Sequence, residues 1–169
     1  MKLYTSTNLR YLLLIAVSLI LAQCSSSNMT SIGSSTYNLS LGDVEEEGFQ
    51  KLVTRIQNIH HYEIEREERY GSSEAFIRTY WKKSQPFSKD PTYKAQEVET
   101  RLILRSRSKT RQGYKMYSVK FIGEYRALLP TEEGEMTFQA VELTPEAEEY
   151  FKDIAYDLKD RVQGSIRGY

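Results

Sequence analysis

The sequence predicts an α+β domain: an antiparallel sheet of about four to five strands, flanked in sequence by an N-terminal and a C-terminal helix packed on one face. Three observations predict it. Phe49, Leu52, Val53, Ile56 and Ile59 recur every three or four residues, the stripe of an amphipathic helix. Ala147, Tyr150, Phe151, Ile154, Leu158 and Val162 do the same near the other end. Between the stripes, short runs alternate apolar with polar residues and are separated by Gly, Ser and Pro, as half-buried strands are.

The chain opens with Lys2 and Arg10, followed by Tyr11 to Ala22, apolar throughout except for Ser18. That run is about a dozen residues, short of the roughly 20 a helix needs to cross a hydrocarbon core, and its flanks are those of a cleaved secretory signal. Leu21-Ala22-Gln23-Cys24, followed by Ser25-Ser26-Ser27, resembles the lipobox of bacterial lipoproteins, with Gln23 where that family usually has Gly, Ala or Ser. The resemblance implies a signal peptide over 1–23, lipidation of Cys24 as the new N-terminus, and a place in the bacterial cell envelope, lipid-anchored at the outer membrane and facing the periplasm. An ordinary cleaved signal or an uncleaved anchor is the alternative. The serines after Cys24 argue against a buried core cysteine.

Residues 24–42 are rich in Ser, Thr, Asn and Gly and read as a flexible linker. Such a tether spans about 20–25 Å. Asn28-Met29-Thr30 and Asn38-Leu39-Ser40 match the glycosylation sequon, a chance match in a bacterial protein rich in these residues. A single domain is expected over 43–164, with a tail at 165–169. Asp43 with Glu46 three residues on gives a capping-box-like start for the first helix. His60 and His61 close it. Adjacent histidines point in different directions on a helix, so they read as residues meeting its negative end, and no metal site is expected.

Tyr62 to Tyr70 alternates and, across Gly71-Ser72-Ser73, forms a hairpin with Ala75 to Lys82. Its Glu and Arg content also suits a continuation of the helix. Lys83 to Lys94 holds Pro86 and Pro91 and reads as a long loop. Val98 to Ser108 is the next strand, with Val98, Leu102 and Leu104 on one face and Glu99, Arg101, Arg105 and Arg107 on the other. A turn at Gln112-Gly113 leads into Tyr114 to Leu129, where Tyr117, Val119, Phe121 and Tyr125 alternate. Pro130 and Glu132-Glu133-Gly134 precede a last strand, Glu135 to Leu143. Thr144-Pro145-Glu146 then caps and starts the second helix, which Gly164 ends. This order of elements is similar to that of several small envelope lipoproteins, including those that assist lipopolysaccharide delivery.

Cys24 is the only cysteine, so no intramolecular disulfide can form and the core alone must hold the domain. Of the 23 basic and 23 acidic residues, two basic ones, Lys2 and Arg10, lie in the signal, so the remainder carries a formal balance of −2. Overall charge selects no partner. The local asymmetry is sharper: Thr100 to Gly123 contains seven basic residues and no acidic one. From these, Arg101, Arg105, Arg107, Lys109, Arg111 and Lys115 form a candidate site for an anionic partner, since Arg presents a planar pair of donors to phosphate or carboxylate. The plainer reading pairs them across the sheet with the glutamates of 63–68. Thirteen tyrosines suit sugar stacking, but suit strand packing better.

No Gly-rich phosphate loop, thiol beyond Cys24 or metal cluster points to catalysis, and no cofactor is expected. The expected function is therefore a membrane-anchored, non-catalytic binding or assembly module for another envelope protein. The alternative is a module binding an anionic lipid or glycan (lipopolysaccharide, a phospholipid head group or peptidoglycan) through the basic hairpin. Nucleic acid is not an expected partner of an exported protein.

Overall fold

Two long strands carry the sheet: β5 (Val98–Arg111) and β6 (Tyr114–Pro130) pair antiparallel along the whole of β5, from Val98 opposite Ala127 to Arg111 opposite Tyr114. Gly113, at φ 84°, supplies the left-handed backbone of their tight turn. The other elements are β1 (Thr36–Val44), α1 (Glu46–Asn58), β2 (Ile64–Tyr70), β3 (Glu74–Thr79), β4 (Lys82–Ser84), β7 (Met136–Ala140) and α2 (Pro145–Ile166). The computed structural model describes residues 35–70, 74–84, 87, 97–111 and 113–166, without the side chains of 70 and 163–166. The signal peptide, Cys24, the turn at 71–73, most of the loop expected at 83–94 and residues 167–169 lie outside the described residues.

The sheet is larger than the sequence suggests. It has seven strands, not four to five, in the order β1-β6-β5-β3-β2, with β4 alongside β5 and β7 alongside β6. The class remains broadly α+β. One addition, β1, occupies residues expected to be tether: Tyr37 and Leu39 pair opposite Gly123 and Phe121. A bulge between Ser40 and Gly42 then shifts the register and lets Leu41 as well as Val44 turn into the core. The other, β4, straddles the boundary expected between the strand ending at Lys82 and the loop starting at Lys83, and is held by Thr100, Glu99 and Val98.

Asp43 belongs to β1 and caps nothing; α1 starts after Glu45, which makes no side-chain cap bond. Nor do the two histidines act as a pair at the helix end. His61 takes a left-handed φ of 56°, and the Tyr62 N–H closes back on the Ile56 carbonyl at 3.2 Å, so the helix cannot continue into β2. The free His60 carbonyl accepts from Lys82 Nζ at 2.9 Å. At the other helix the cap is as the sequence indicates: Thr144 Oγ1 accepts from the Ala147 N–H at 3.2 Å. However, α2 runs through Gly164 to Ile166.

Both helices share one core with one face of the sheet. Phe49, Leu52, Val53 and Ile56 of α1 and Ala147, Phe151, Ile154, Ala155, Leu158 and Val162 of α2 bury against Leu102 and Leu104 of β5 and Val119, Phe121 and Tyr125 of β6. Phe151 lies over Gly123, where there is no side chain to obstruct it. Tyr62 is 1% exposed, and its hydroxyl is shared with Thr100 Oγ1 at 2.6 Å and the Tyr150 hydroxyl at 2.9 Å. Burial pushes its ionisation far above that of an ordinary tyrosine.

The helices are clasped at their surface by Asp157 of α2. It accepts from Arg55 Nε of α1 at 2.6 Å, from Arg55 Nη2, and from His60 Nε2 at 2.9 Å. The hydrogen bond from Arg55, aided by His60, holds the Asp157 carboxyl below its ordinary value against the opposing effect of burial. A lowered folded-state value means that the clasp stabilises the fold above about pH 4, where an unfolded aspartate ionises, and the gain disappears as pH falls through the folded value. Between pH 5 and pH 2, urea midpoints should drop more steeply for the wild type than for Asp157→Asn. Parallel curves would show that the clasp is not the acid-sensitive contact.

Candidate binding face

The alternation that buries one face of the sheet commits every other residue to the opposite face, over which the described residues place no helix. Cross-strand register then decides which of those residues meet. One rung runs Glu68, Phe76, Arg105, Lys120 and Ser40, from β2 through β3, β5 and β6 to β1. The next runs Arg66, Arg78, Ile103, Ile122 and Asn38. Past it come Arg101 opposite Glu124 and Glu99 opposite Arg126.

The face has two ends of different character. At one, every arginine is held by a carboxylate and stacked on an aromatic ring. Arg101 Nε donates to Glu124 Oε2 at 2.7 Å, and Arg126 Nε to Glu99 Oε2 at 2.7 Å. Their guanidinium carbons lie 4.3 and 4.0 Å from the centre of the half-buried Trp81 ring, and Arg126 is also 4.9 Å from Phe138. Glu99 is only 6% exposed, so the Arg126 pair is fixed in place rather than swinging in solvent. Met136, on the same face of β7 as Phe138, is 40% exposed.

At the other end lies an open groove of about 620 Å³ lined by Arg66, Arg105, Arg107, Lys120, Glu68 and Glu74, with Phe76 among them. Arg66 is bonded to Glu68, and Arg107 Nε reaches Glu74 at 3.3 Å while its side chain stays 86% exposed. Arg105 sits 5.6 Å from the Phe76 ring and Arg66 6.0 Å from it. Among the described residues neither Arg105 nor Lys120 has an ion-pair partner.

Of the six residues the sequence nominates, the structure brings only Arg105 and Arg107 to this groove. Arg101 stands at the Trp81 end. Lys109 Nζ binds Asp43 at 2.7 Å, and this bond, opposed by burial, holds the Asp43 carboxyl below its usual range. Arg111 is exposed beside the hairpin turn, opposite Tyr114. Lys115 is on the other face of the sheet, its Nζ 5.0 Å from the Tyr117 ring. The glutamates of 63–68 are not the hairpin's partners either. Glu65, Glu67 and Glu68 bond Arg78, Arg69 and Arg66, while Arg101, Arg107 and Lys109 use Glu124, Glu74 and Asp43. Sequence reasoning missed Arg66, Phe76, Trp81, Lys120, Arg126 and Phe138 as members of one surface. Their alternation was visible, but the register joining them was not.

A separate cleft of about 890 Å³ runs between the helices past Leu52, Ile59 and Val162, beside the Arg55–Asp157 clasp. Among the described residues no three His, Cys, Asp or Glu side chains gather as metal ligands, and no helix is long and apolar enough to cross a membrane. No protein-family model matches the chain, and no curated protein matches it either.

Proposed function

We propose that this chain is a membrane-anchored, non-catalytic lipoprotein of the bacterial cell envelope, held through lipid on Cys24 and acting as a binding or assembly module for another envelope protein. The observation that carries the reading is the Trp81 end of the open sheet face. Tryptophan and arginine dominate the energetic centres of protein interfaces because they bury much area and keep a polar edge to orient the partner. Here the guanidinium planes of Arg101 and Arg126 are already fixed by Glu124 and Glu99, so docking a partner costs them little further freedom. The alternative, an anionic lipid or glycan, finds its support at the groove instead.

The test has two parts. Labelled palmitate should enter the wild type and not Cys24→Ala, which should leave the membrane fraction, because a chain with two or more acyl groups is held stably and one with none is not. Chemical cross-linking in intact cells should join the wild type to a discrete protein. Trp81→Ala with Phe138→Ala should lower that yield by about tenfold or more while circular dichroism shows the fold retained. An unlabelled, soluble wild type would remove the anchor; an undiminished cross-link in the double variant would remove the docking face.

A further inference from the structure

The register places two like charges directly opposite each other on the open face. Arg105 and Lys120 are cross-strand partners, so their Cβ atoms lie about 4.5–5.5 Å apart and the pair opposes folding rather than aiding it. In the neighbouring rung Arg66 and Arg78 are also directly opposed, but there each is relieved by a glutamate, Glu68 and Glu65. For Arg105 and Lys120 no carboxylate among the described residues does the same. Two cations that line one groove from opposed positions offer charge-assisted donors to a shared anion, and the ring of Phe76 lies beside Arg105 as an apolar surface.

Charge and shape narrow the anion. The groove carries Arg66, Arg105, Arg107 and Lys120 against Glu68 and Glu74, an excess of two positive charges. A carboxylate or a phosphodiester brings one negative charge; a phosphomonoester brings about 1.5 to 2 at pH 7 and three acceptor oxygens. We infer that the groove beside Phe76 is a binding site for a phosphomonoester whose apolar portion lies on the Phe76 ring, with Arg105 and Lys120 holding the phosphate. This rests on the open face being the working surface of the protein, but uses its opposite end from the Trp81 docking centre.

Calorimetric titration of the full chain in a neutral detergent, at low ionic strength, tests the site with phenyl phosphate, which joins a phosphomonoester to a ring. Saturable binding is expected, strengthening from pH 5 to pH 7 as the phosphate takes its second charge at about pH 6. Arg105→Gln and Lys120→Gln should each weaken it by about tenfold or more. Lys51→Gln, on α1, should not. Short-chain phosphatidic acid, a monoester, should bind more tightly than short-chain phosphatidylglycerol, a diester. Phosphatidic acid binding about tenfold more tightly than phenyl phosphate would assign the site to a lipid head group, and equal affinity to a soluble phosphomonoester.

The inference is overturned if phenyl phosphate does not bind, if Arg105→Gln with Lys120→Gln binds it as the wild type does, or if diester and monoester bind alike. Both glutamine variants alter exposed side chains, and thermal melts check that they fold. The Trp81→Ala, Phe138→Ala chain separates the two readings: it should lose the protein cross-link and keep phenyl phosphate binding. A wild type that cross-links but ignores phenyl phosphate leaves the docking reading standing and ends this one.

Discussion

Phe151→Ala should lower the free energy of unfolding by about 3–5 kcal/mol, the range for removing a buried aromatic ring. The ring is completely buried, 6.5 Å from Tyr37 and 5.5 Å from Tyr150, and it rests on the backbone of Gly123. The cost belongs at the upper part of that range because the site has little means of collapsing. Below the ring is sheet backbone, which cannot move in without breaking the ladders of β6 with β1 and β5. Urea unfolding monitored by far-ultraviolet circular dichroism measures the loss. A change under about 1 kcal/mol would mean that α2 does not seat on the sheet at this residue.

The same contact read from the sheet side gives the second large effect. A Cβ on Gly123 would stand 2.3 Å from Phe151 Cδ1, far inside van der Waals distance, and its neighbours there are ring atoms of a side chain with no room to swing. Gly123→Ala should therefore destabilise by about 1–3 kcal/mol or more through overpacking, although alanine suits a strand no worse than glycine does. Because the penalty is specific to the ring, Phe151→Leu should shrink it. The double-mutant cycle should show the two substitutions costing less together than the sum of their separate costs. Additive costs would place the strain elsewhere in β6.

That contact shows where sequence reading succeeds and stops. The stripe containing Phe151 and the alternation through Phe121 and Tyr125 were both legible, because burial on one side imposes a period and the period can be counted. Nothing in either pattern says that Phe151 meets Gly123, since the glycine simply looked like a gap in an alternating strand. β1 was missed for a different reason. Tyr37, Leu39 and Leu41 do alternate with Asn38 and Ser40, but the Ser, Thr and Asn that surround this short period have the composition of a tether. The bulge at Ser40–Gly42 also breaks the alternation, so that the core position after Leu41 is Val44 rather than Asp43.

The candidate site was legible as a charge imbalance and not as a surface. Seven basic residues without an acid are a property of the chain; convergence is a property of register. Thus Lys115, two residues from Tyr117 on a strand, had to share its face with the core side, whereas Lys120, left out of the nominated site, stands beside Arg105. The arginines of β2 and β6, Arg66 and Arg126, come from outside the basic run altogether.

The place of β1 at the sheet edge sets an order of events. Its one strand partner among the described elements is β6, and the nearest register pair joins Val44 to Tyr117, so roughly seventy residues must be available before the pair can begin to close, against the handful that join β2 to β3 or β5 to β6. On the proposed export route, delivery from the N-terminus would bring β1 out before its partner, leaving Leu41 and Val44 uncovered until β6 follows. The strand nearest the proposed anchor is thus the one whose partner in the sheet lies furthest along the sequence.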